Sequence, residues 1–155
     1  MPVPIKKVFP IFFLLMSMFS LAQEHTVELT WHTDYRQALE MAKSENKKLL
    51  IYFTGSDWSI PCKMLNDDFF YTEKFKDIAV KHLILLRVNS PRRDNMLSDF
   101  HQNAVAQLRI KYKQKVFPTV IITDTEGKML GKVESYNYLH DTSNHYAMIK
   151  RVLRL

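Results

Sequence analysis

The sequence predicts an α/β fold, a central mixed β-sheet flanked by helices on both faces. Three observations predict it. Residues 49–53 form a continuous apolar run and 83–88 one interrupted only by Arg87, each bounded by polar or turn residues, as expected of strands covered on both sides. Helix-period segments separate the early strands, and parallel strands need such crossovers. A β-branched run at 119–123 then meets a turn, Asp124-Thr125-Glu126-Gly127, and an antiparallel partner at 128–133, followed by a last helix.

In chain order, residues 26–31 alternate and read as an edge strand or extended lead-in. Asp34 is an N-cap for a helix to about residue 45, with Tyr35, Ala38, Leu39 and Ala42 on its buried stripe. The run 49–53 is the central strand. After the turn Thr54-Gly55-Ser56-Asp57, a helix opens near Ser59 and carries Met64, Leu65 and Phe69 before a break at Tyr71-Thr72. A shorter helix from about 73 to 81 leads into the strand at 83–88, which Asn89-Ser90-Pro91 ends. Residues 96–113 read as one long helix with Leu97, Phe100, Ala104, Leu108 and Tyr112 inward. Pro118 marks the first residue of the next strand, because proline cannot donate to a ladder, and so tight a turn into a strand is where a cis bond is most often used. Ser143 or Asn144 caps the final helix, whose inward side carries Tyr146, Ile149, Val152 and Leu153.

With 155 residues and 46% hydrophobic content the chain supports one core and one domain. Lys6 and Lys7, the apolar run 8–21 and the small residues before Gln23 read as an export signal over residues 1–22, cleaved after Ala22, leaving a domain over 23–155. An uncleaved anchor is the other reading, but the run is short of the roughly 20 apolar residues a span requires, so no stable membrane span is expected after cleavage. Loss of Lys6 and Lys7 lowers the formal charge from +6 to +4. The cations are interspersed with acids, and Arg92-Arg93 beside Asp94 reads as a solvated turn, which argues against nucleic acid as a partner. One cysteine in an exported chain excludes an internal disulfide and leaves Cys62 either buried and inert or available to a second molecule. The group His140, Asp141 and His145 reads as a polar loop rather than a zinc site, and no metal or cofactor is expected.

The stretch that organises the chain is Trp58-Ser59-Ile60-Pro61-Cys62-Lys63, where the central strand hands over to a helix. Backbone N–H groups and the helix dipole favour negative charge at a helix N-terminus, and so acidify cysteines there. This stretch, the strand before it, and Phe117-Pro118-Thr119 downstream resemble the thioredoxin family, specifically exported bacterial thioredoxin-like proteins, from about Trp31 to Tyr136. The resemblance implies a thioredoxin-like fold and a thiol-disulfide exchange lineage. It also implies a site in which a first cysteine attacks a substrate disulfide, a second resolves it, and an acid in the central strand assists proton transfer. Ser59 stands at the attacking position, Cys62 at the resolving one, and no acid lies within 49–54, where Tyr52 or a neighbour fills the acid's place. By the same resemblance Trp58, Ile60, Pro61, Phe117 and Pro118 form a rim for an extended peptide or protein client, paired in strand fashion to the Phe117 backbone. The expected function is therefore a peptide-binding or chaperone-like module, periplasmic or secreted, without dithiol cycling. The alternative is a monothiol enzyme forming an intermolecular disulfide through Cys62 and dependent on an outside thiol. Ser59 as a nucleophile would need an adjacent base that the sequence does not supply, so helix capping is its expected work.

Overall fold

The computed structural model describes residues 28–92 and 98–155; the expected export signal lies outside them. The chain runs β1 (Trp31–His32), α1 (Tyr35–Ser44), β2 (Lys48–Thr54), α2 (Ile60–Leu65), a π-helical turn (Asn66–Phe70), α3 (Glu73–His82), β3 (Leu83–Asn89), α4 (Asp99–Lys111), β4 (Thr119–Thr123), β5 (Met129–Glu134) and α5 (Ser143–Leu153). The sheet order is β1-β3-β2-β4-β5. β1, β3 and β2 are parallel, and β4 and β5 are antiparallel additions. This is the mixed sheet expected from the order of elements.

β2 lies at the centre, and its period-2 alternation divides the core. Leu50 and Tyr52 face a cluster with Cys62, Leu65, Phe69, Phe75 and Met148, under α2, α3 and α5. Leu49, Ile51 and Phe53 face Ala38, Ala42, Leu108 and Tyr112, under α1 and α4. Both faces are buried, so β2 carries no charged residue from Leu49 to Phe53. Asp34 caps α1 as expected, its Oδ1 accepting from Gln37 N at 2.8 Å.

Four details correct the sequence reading. Within the described residues the lead-in strand is only Trp31–His32, and residues 28–30 are irregular. The helix expected at 96–113 is described from Asp99, capped by Ser98; Phe100 is 76% exposed and Ala104 is exposed, so only Leu108 and Tyr112 of the expected stripe are buried. Met96 and Leu97 lie outside the described residues. The last helix is capped not by Ser143 or Asn144 but at Thr142, with Asp141 Oδ1 accepting from Ser143 N at 2.8 Å. Finally, the segment after α2 widens to a π-helical turn in which Tyr71 N donates to Asn66 O at 2.9 Å. The extra residue in that turn lets Phe69 and Phe70 enter the core side by side. Phe69 packs 4.7 Å from the Phe75 ring and Phe70 4.5 Å from Tyr52.

Candidate functional site

The site forms where β2 ends. Ser59 N donates to Gly55 O at 2.8 Å, closing the turn that delivers the chain into α2. Ser59 has extended backbone angles and is the N-cap of α2; its Oγ accepts from Cys62 N at 3.4 Å. The hydroxyl therefore satisfies one of the helix's unpaired N–H groups. Ser59 is 4% exposed and Cys62 is 0% exposed. Pro61 occupies the first turn, where its missing N–H costs no helical bond. Ile60 is turned outward and is 56% exposed.

Beneath the helix, Tyr52 stands on β2 opposite Arg87 of β3 and Val120 of β4. Its hydroxyl donates to Cys62 O at 3.1 Å. Burial, then the proximity of Cys62, pushes its ionisation well above the ordinary phenol range, so it stays a neutral donor. A neutral phenol thus sits under Cys62, with no carboxylate in that strand.

Trp58 is seated on the segment after β3. Its Nε1 donates to Ser90 O at 2.9 Å, while Ser56 N donates to Asn89 Oδ1 at 3.0 Å. Gly55 lies under the indole so closely that a Cβ there would collide with it. The Trp58 and Phe117 rings meet edge to face, 5.5 Å apart at 82°. The Phe117-Pro118 peptide bond is cis. Phe117 is half-buried and packs against the cluster containing Cys62, and Pro118 O accepts from Ser135 N at 2.8 Å. The structure thus brings Trp58, Ser59 and Phe117 together beyond one end of the central strands, with Ile60 exposed beside them and Cys62 enclosed below.

Sequence reasoning missed two arginines here. The Arg92 guanidinium lies over the Trp58 ring at 4.7 Å and that of Arg109 over the Phe117 ring at 5.5 Å. Arg92 had read as part of a solvated turn; Arg93 and Asp94 lie outside the described residues. Arg109 had only a surface position on a helix stripe to recommend it. The expected polar group of His140, Asp141 and His145 is divided. His140 Nδ1 bonds Asp68 Oδ2 at 2.6 Å, and Tyr136 donates to the same oxygen at 2.7 Å. These bonds, that of Tyr136 foremost, hold the Asp68 carboxyl below its usual range. His145 instead is 2% exposed, with both ring nitrogens unpartnered among the described residues, and burial lowers its pKa to about 4. No group of three metal-ligating side chains occurs among the described residues. A cleft of about 590 Å³ opens between the start of α1, the end of β3 and α4, and none of the sequence-predicted site residues lines it.

A family model described as Thioredoxin-like matches residues 30–125. The chain belongs to the thioredoxin-like family. It is 32% identical over 105 residues to Disulfide bond reductase DsbH of Chlamydia pneumoniae, a match covering 68% of this chain and 62% of that protein. It is 25% identical over 108 residues to Thioredoxin-related protein DsbJ of the same organism, covering 70% of this chain and 31% of that one. The match therefore spans less than two thirds of either relative's length. The solved structure of DsbH Oxidoreductase superposes with a TM-score of 0.70 at 28% identity, covering 83% of this chain and 87% of that one. The thioredoxin-like fold and a place in the thiol-disulfide exchange lineage follow. Among the described residues no helix is long and apolar enough to cross a membrane.

Proposed function

We propose that this is an exported member of the thioredoxin-like family that binds an extended peptide along Trp58, Ile60, Pro61, Phe117 and Pro118 and does not cycle a dithiol. The observation that carries the reading is the state of the two motif positions. Ser59 is spent on capping α2, and Cys62, the one thiol of the chain, is fully buried. Disulfide exchange proceeds through attack by an accessible thiolate, and release from a mixed disulfide needs a second thiol. Peptide binding needs neither: it needs apolar surface at the rim, which exposed Ile60 and the half-buried Trp58 and Phe117 supply. Export rests on the basic and apolar leader of residues 1–22, and a periplasmic or secreted location follows from it.

Kinship with a protein named a disulfide bond reductase favours a second reading, in which Cys62 forms a mixed disulfide with a client and an outside thiol releases it. Insulin reduction by the purified chain, with and without added glutathione, separates the two. The first reading expects no turnover in either condition, together with saturable binding of an extended apolar peptide. Glutathione-dependent turnover abolished by Cys62→Ala would replace it with the second.

A further inference from the structure

We infer that the rim selects acidic clients: an extended peptide with an apolar centre flanked by aspartate or glutamate. The inference rests on the peptide-binding reading above and names the client's chemistry. Each of the two rim aromatics carries a guanidinium on its face, Arg92 over Trp58 and Arg109 over Phe117. A guanidinium held over a ring face still has N–H donors in the fork that matches a carboxylate. Arg109 spends Nε on Gln114 Oε1 at 2.8 Å, and Gln114 Nε2 in turn donates to Val116 O at 2.6 Å, so this cation is fixed relative to the loop leading into Phe117. Neither guanidinium forms an ion pair among the described residues.

Two acids lie nearby, against four cations. Asp57 accepts the Arg92 backbone N–H at 3.1 Å, and Glu134, opposite Thr119 in the β4–β5 ladder, is paired with Lys132. Lys63 is exposed one helical turn beyond Ile60, and Lys115 is exposed beside Val116, itself 43% exposed. The surface is thus apolar at its centre and cationic at its margins, the arrangement that steers and orients a partner of opposite charge.

The test uses three fluorescent peptides sharing one apolar core and flanked by glutamate, glutamine or lysine, titrated with the protein and read by anisotropy. The glutamate peptide is expected to bind about tenfold or more tighter than the lysine peptide at low salt, with the gap narrowing as ionic strength rises. Arg92→Gln combined with Arg109→Gln is expected to remove the preference while leaving the glutamine peptide bound. Salt dependence of the unaltered protein stands independently of whether that double variant folds. Equal binding of all three peptides, or a preference that survives both substitutions in a folded variant, overturns the inference while the peptide-binding reading stands. Failure of every peptide to bind overturns both.

Discussion

The Tyr52 hydroxyl donates to the Cys62 carbonyl oxygen at 3.1 Å, tying the central strand to the first turns of α2 from inside the core. The same carbonyl accepts from Asn66 N–H, so it is not orphaned when the phenol is removed. Tyr52→Phe should therefore lower stability by about 1 kcal/mol, the net value of one neutral hydrogen bond, without unfolding the domain. Urea unfolding of the two proteins measures it. A loss several times larger would mean that the bond organises the whole strand-to-helix turn.

Gly55→Ala tests the seat of Trp58. The added methyl collides with the indole, and the bond from Trp58 Nε1 to Ser90 O cannot survive the displacement. Overpacking of this kind costs about 1–3 kcal/mol. Affinity for an extended apolar peptide should fall, while far-UV circular dichroism keeps the α/β signature. Unchanged affinity would remove Trp58 from the rim.

His145 gives stability a pH dependence with a definite sign. Its folded pKa is about 4, below the ordinary 6.5, because burial disfavours the imidazolium, while Asp141 acts weakly the other way. The unfolded chain therefore binds the proton first as pH falls. The contribution is complete above about pH 6.5 and is lost progressively down to about pH 4, to a total of about 3 kcal/mol. Urea midpoints between pH 7 and 4 should fall accordingly, and His145→Leu should flatten that window. An identical slope in the variant would assign the effect to other groups.

Ser59→Cys asks whether the surroundings still support exchange. The substitution places a second sulfur one helical turn from Cys62 and replaces the hydroxyl that caps α2. Insulin reduction with dithiothreitol should rise above the unaltered protein's baseline. No gain would mean that the neutral Tyr52 and the enclosed Cys62 disable the site independently of the missing sulfur.

Much of this architecture is legible in the sequence, because apolar runs at 49–53 and 83–88 and the caps at Asp34 and Ser59 report their own local physics. What stayed hidden depends on contacts made elsewhere. The π-helical turn at Asn66–Phe70 follows from the need to place Phe69 and Phe70 together against Tyr52 and Phe75, which no helical period announces. Phe100 fits an apolar stripe, yet α4 buries only Leu108 within its span, so the ring remains in solvent. His145 carries a polar label, but its ring lies 5.1 Å from Phe69 and 5.9 Å from Tyr136 inside the core. Arg92 reaches Trp58 from a loop distant in sequence, and Arg109 reaches Phe117 because the chain turns back after the last turn of α4, so only the fold brings them to the rim.

The most direct measurement is the rate at which Cys62 reacts with an aromatic disulfide reagent at pH 7, folded and in denaturant. With the sulfur fully enclosed, reaction in the folded protein requires transient opening and should be at least ~100-fold slower than in the denatured chain. Comparable rates in the two states would show a thiol open to clients and would contradict a module without exchange chemistry.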